Sequence, residues 1–200
     1  MPPISGWELK SLHEARDYEG MVRLVRKTMN VEVDLKVGWV NSGGPENAVA
    51  WVQLFPDMPF YGTKEFREMK ITMCLRKSLL KERTSDQVSI AIAHELSHVV
   101  LESIRHPLRK CEKAVDLTAM LLGFGRLYET ASHTKECVGD HIWSFHLGYL
   151  SEDELRVANE LLTPAHLRSK IKALRESAPS RSERASTDPV AARPPRTRRS

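Results

Sequence analysis

The sequence predicts an α+β fold, with short strands in the N-terminal half, a mostly helical C-terminal half and a tail that has no core of its own. Three observations predict it. The apolar period is two from Val31 onward, it becomes helical after Thr84, and large apolar residues all but vanish after Ser177. A chain of 200 residues, 41% apolar and 28% charged, has the composition of one globular domain that can bury a core without disulfides.

Residues 7–29 read as helix with an interruption near Gly20, because Met21, Leu24, Val25 and Thr28 recur at helical spacing. Val31, Val33, Leu35, Val37 and Trp39 then alternate with charged residues and Gly38, the pattern of a half-buried strand. Residues 41–45 are a turn by composition, and 48–55 form a second strand candidate that would pair with the first as a hairpin. A third strand is expected over 69–75. Thr84-Ser85-Asp86-Gln87 has the form of a capping box and opens a helix that should run to about Ser103, since Pro107 disfavours helical geometry at His106. A second helix is expected over 109–128, with Leu117, Met120, Leu121, Leu122 and Phe124 buried on several sides. Further helices are expected near 142–147, 152–162 and 164–175. The folded domain is read as 1–175, and 176–200 as a disordered Arg/Pro/Ser-rich tail, because such a composition cannot offset its ordering entropy.

The formal charge of +4 sits mostly in that tail, where six arginines face Glu176, Glu183 and Asp188, so the body is close to neutral. Nucleic acid is therefore expected to interact only through the tail, which has no aromatic residue for base stacking. Cys74, Cys111 and Cys137 are too few and too irregular for a disulfide framework or a thiolate zinc knuckle. No leader pattern and no apolar run of bilayer length is seen, and a cytoplasmic location is expected by elimination.

The chemistry concentrates in His94-Glu95-Leu96-Ser97-His98. Two histidines four apart on a helix project from one face, so their imidazoles can share one Zn²⁺. Glu95 lies beside such a metal without ligating it, where it can act as general base for a metal-activated water. At this composition only about 0.03 such matches are expected by chance. The motif also interrupts an apolar helix, where three polar side chains are costly without a function. A zinc site with an open position needs a third protein ligand, and Glu112 is the candidate. Asp116, one turn further on, is placed to accept the N–H of a ligand imidazole and fix its tautomer. His106 is a weaker ligand candidate. His133, His141, His146 and Tyr128 are candidates to stabilise the oxyanion of a tetrahedral intermediate, with His141 preferred. The run 148–154 reads as a turn and helix start without chemistry.

HELSH followed by Glu112-Lys113-Ala114-Val115-Asp116 resembles the gluzincin zinc metallopeptidases, and within them the group containing the heat-shock membrane peptidase HtpX and the CAAX prenyl-protein endopeptidase. Val115 stands where that group usually has Ala, and the transmembrane helices of those enzymes have no counterpart here. The resemblance implies a zincin-like fold, with a small mixed sheet packed on the active-site helix and an edge strand that holds an extended peptide. It also implies Glu112 as third ligand, Asp116 as the support of a ligand and Glu95 as general base. The expected function is a zinc-dependent peptidase acting on protein or peptide, with activity falling below about pH 6 as the ligand histidines protonate. The alternatives are a regulatory peptidase for one specific, DNA-associated protein and a non-catalytic, metal-stabilised binding module.

Overall fold

The computed structural model describes residues 4–45, 48–138, 141–163, 167 and 169, with the backbone alone described for 135–138 and 141–145. Residues Met1–Leu162 form one compact unit, and Thr163–Ser200 group separately, almost all of them outside the described residues. Of the helix expected over 164–175 only Leu167 and Ser169 are described, both helical, with the Leu167 N–H donating to the Thr163 carbonyl at 3.0 Å, and its other residues and the basic tail lie outside the described residues.

Two helices, α1 (Gly6–Glu14) and α2 (Tyr18–Thr28), replace the single interrupted one. The break falls at residues 15–17 rather than at Gly20, because Asp17 caps α2 by accepting from the Gly20 N–H at 2.7 Å. Strands β1 (Asp34–Val40), β2 (Ala50–Val52) and β3 (Lys70–Arg76) form one sheet in the order β1-β3-β2. β1 runs parallel to β3 and β2 antiparallel to it, so the sheet is small and mixed. The β1–β2 hairpin expected from sequence is not formed. β3 lies between them, and its alternation, with Ile71, Met73 and Leu75 fully buried, suits the centre of the sheet better than an edge. Two short helices, α3 (Lys64–Glu68) and α4 (Lys77–Glu82), flank β3. Each is too short for a helical period to emerge from its sequence.

The central element is α5 (Ser85–Ser103), packed against α1, α2 and β2. Its capping box is complete: the Gln87 N–H donates to Thr84 Oγ1 at 3.3 Å and the Thr84 N–H to Gln87 Oε1 at 3.2 Å. Val88, Ile90, Ile92, Ala93, Leu96 and Val99 are at most 1% exposed, so this helix runs through the core. The long helix expected next is broken into α6 (Glu112–Ala119), a π turn (Met120–Phe124) and α7 (Gly125–Ala131). Gly123 makes the break with φ +114°, a value a side chain would strain. The helix is also less enclosed than its composition implies. Leu117 and Leu121 are 39% and 51% exposed, while Val115, Ala119, Phe124 and Tyr128 carry the inward face.

The helix expected near 142–147 is instead the second strand of a hairpin, β4 (His133–Val138) and β5 (His141–His146). Ile142, Trp143 and Phe145, β-formers in a short run, gain more from cross-strand pairing than from a single helical turn. The capped helix α8 (Glu152–Leu161) follows as expected. No helix among the described residues is long and apolar enough to cross a membrane.

Candidate metal centre

His94 and His98 lie on successive turns of α5 with their ring centroids 5.0 Å apart and nearly perpendicular. Glu112 is the first residue of α6 and reaches both rings: its Oε2 is 3.1 Å from His94 Nε2 and 3.3 Å from His98 Nε2. Ligands about 2.0–2.1 Å from a tetrahedral zinc are separated from one another by about 3.3 Å. The two observed separations match that edge, and one atom from each residue falls within 4.8 Å of the others. The chemistry of the set, two imidazoles and one carboxylate, also suits zinc, so the residues present fit this metal. Arg109, paired with Glu102 at 3.3 Å, and Lys113, paired with Glu154 at 2.6 Å, brace the start of α6 from α5 and α8.

Asp116 is fully buried and serves three groups at once. His94 Nδ1 lies 2.8 Å from its Oδ1, the Tyr128 hydroxyl donates to the same oxygen at 2.9 Å, and the Tyr149 N–H donates to Oδ2 at 2.6 Å. The bond at Nδ1 leaves Nε2 as the nitrogen turned toward Glu112 and His98, as a metal ligand requires. Burial works against the charged form of His94, but the hydrogen bonds to Asp116 and Glu112 outweigh it and raise its pKa to about 9. Burial and the neighbouring His94 lower His98. The hydrogen bond from His94 holds Glu112 below the usual carboxylate range against a smaller opposing effect of burial. Burial raises Glu95 to about 7, and the His94 charge and a backbone hydrogen bond from Val52 only partly offset it.

His94 and Glu95 line a cleft of about 380 Å³ together with residues 48–50 at the edge of the sheet, Tyr128, and 146–149 after the hairpin. The β2 edge turns one backbone face away from β3 there. Gln53 N–H donates to Thr72 and Arg76 N–H to Val49, each at 2.9 Å, so the odd-numbered residues of this segment face β3. By alternation, the N–H and C=O of Ala50 and Val52 are directed away from β3, and the Val52 N–H serves Glu95.

The structure brings together His94, Glu95, His98, Glu112 and Asp116. His106 sits in the turn after α5, where its Nδ1 accepts from the Leu108 N–H at 3.2 Å, apart from the metal-ligand group. His133 and His146 form a cross-strand pair with ring centroids 4.1 Å apart, and His146 also contacts the Leu150 carbonyl at 3.2 Å while lining the cleft. Tyr128 lies beneath the site as a donor to Asp116 and lines the cleft. His141 begins β5, and its side chain lies outside the described residues.

Sequence reasoning missed Gly148 and Tyr149, which it read as a turn without chemistry. Tyr149 stacks on His94 with centroids 5.7 Å apart and planes 25° apart. Gly148 has φ +97°, and a Cβ there would lie 2.9 Å from Asp116 Oδ2. A Gly-Tyr pair before a capped helix start gives no sign of this, because the partner carboxylate is 32 residues or more upstream. Compared with models of known families, with curated proteins and with solved structures, the chain matches none.

Proposed function

We propose that this chain is a zinc-dependent peptidase, with His94, His98 and Glu112 as the metal ligands and Glu95 as general base. The observation that carries the reading is the convergence of His94, His98 and Glu112, with Glu112 Oε2 at tetrahedral-edge spacing from both rings, beside a half-buried Glu95 on the wall of a cleft. The resemblance of HELSH and the later Glu112-x-x-x-Asp116 to the gluzincins supports the same assignment. Zinc held there supplies Lewis acidity toward a peptide carbonyl and toward the attacking water.

The remaining work falls to the protein's own groups. Glu95, whose pKa of about 7 suits a group that both takes and returns a proton near neutrality, accepts one from the water and passes it to the departing amine. Asp116 holds His94 in the tautomer that presents Nε2. The edge of β2 turned away from β3 offers backbone donors and acceptors to an extended peptide, which would add to the sheet as a further strand. Two side chains are proposed as donors to the developing oxyanion: His141, on β5, and Tyr149, on the cleft wall.

Glu95→Gln tests the reading on a mixed peptide library. The expected result is about one zinc per chain in both proteins and cleavage reduced by about 100-fold or more in the variant. Cleavage undiminished in Glu95→Gln refutes the proposal. Zinc in both proteins with cleavage by neither identifies a metal-stabilised binding module instead.

A further inference from the structure

A second cleft, of about 730 Å³, opens where α1, α2, β1 and α4 meet, and it shares no lining residue with the cleft at His94. One wall is aromatic. Tyr18 and Trp39 lie with ring centroids 6.1 Å apart, and His13 meets Tyr18 edge-on at 5.8 Å. The Tyr18 hydroxyl donates to the Leu80 carbonyl at 3.1 Å, which fixes that ring. The mouth carries three exposed cations, Arg16, Lys77 and Lys81, none of them in an ion pair among the described residues. The carboxylate at this mouth, Glu14, pairs with Lys10 at 3.9 Å.

The charge of this cleft asks for a ligand. Arg16, Lys77 and Lys81 outnumber the one carboxylate at this mouth, Glu14, and an anion among them relieves their mutual repulsion. Flat aromatic faces next to guanidinium and ammonium groups suit a planar ring that carries a phosphate. The volume is that of a small-molecule site.

We propose that this cleft binds an aromatic phosphate of mononucleotide size, with its ring against Tyr18 and Trp39 and its phosphate among Arg16, Lys77 and Lys81. A single strand of nucleic acid is disfavoured, because a strand needs cations along a track and these three line one half-open cleft.

The test titrates the full-length protein with adenosine 5′-monophosphate, following the Trp39 indole and His13 imidazole resonances, alongside the double variant Lys77→Glu/Lys81→Glu. Both lysines are exposed, so the variant keeps its fold, which its zinc content and unfolding midpoint verify. Expected are saturable shifts of both resonances, with adenosine alone and inorganic phosphate alone each weaker by about tenfold or more. The double variant should weaken nucleotide binding by about tenfold or more while zinc content stays unchanged. Absence of saturable shifts up to about 5 mM nucleotide overturns the proposal. So does equal binding of inorganic phosphate, or undiminished binding by the double variant. A short single strand that binds more than about tenfold more tightly than the mononucleotide also overturns it and makes the cleft part of a nucleic-acid surface.

Discussion

Asp116→Asn preserves shape and removes one charge, which makes it a sharp perturbation of the metal centre. Both carboxylate oxygens are occupied, Oδ1 by His94 and Tyr128 and Oδ2 by the Tyr149 N–H. An asparagine that keeps its oxygen toward His94 and Tyr128 turns its NH₂ on the Tyr149 N–H, donor against donor, at a separation now 2.6 Å. The flipped amide is worse. It faces two donors and can push His94 into the tautomer that carries its proton on Nε2, which cannot bind a metal. Orphaning a buried N–H costs about 1–3 kcal/mol, and losing charge-assisted bonds costs about as much again. The metal-free variant should therefore be less stable by about 2–5 kcal/mol. Zinc affinity, measured by competition with a chelator at fixed pH, should fall by about 10–100-fold. Denaturant unfolding of both metal-free proteins gives the stability difference. A zinc affinity within about twofold of wild type refutes the claim that Asp116 supports His94 as a ligand.

Zinc uptake should release protons. With the His94 pKa raised to about 9, metal-free protein at pH 7 carries that proton, zinc must displace it, and affinity should weaken by about tenfold per pH unit as pH falls below 9. Calorimetry in buffers of different ionisation enthalpy should count about one proton per zinc from His94 near pH 7.5, and a count near zero contradicts the shift. Gly148→Ala combines a positive φ with a Cβ 2.9 Å from Asp116 Oδ2, so it should cost about 1–3 kcal/mol and lower zinc affinity, read by unfolding and chelator competition. Tyr149→Phe keeps the ring on His94 and removes only the hydroxyl. If that hydroxyl contacts the oxyanion, kcat should drop by about 10–1,000-fold with KM and zinc content nearly unchanged, and an unchanged kcat leaves His141 as the proposed donor.

The site was more legible in the sequence than the fold around it. His94, Glu95 and His98 are fixed by one helix, and the helical period alone brings them to one face. Glu112 and Asp116 share the same logic on α6, needing only that α6 pack against α5. Strand positions were readable from the period of two, but pairing was not. Whether β2 joins β1 or β3 depends on burial across the whole sheet, and the fully buried stripe of β3 decides it. β5 was mistaken for helix because a six-residue run such as His141–His146 is too short for its period to distinguish the two. Tyr149 was invisible for a different reason: its part depends on a hydrogen bond from its backbone, to which its own side chain gives no clue.

Because one carboxylate holds both His94 and the Tyr149 backbone, the metal site and the far wall of the cleft are mechanically a single part. Under the proposed peptidase function, a peptide pressing on Tyr149 would pull on the same anchor that aims His94. The linkage runs backward as well. If zinc binds as proposed, exchange of the Tyr149 amide with solvent should slow as the His94 ring is locked in place.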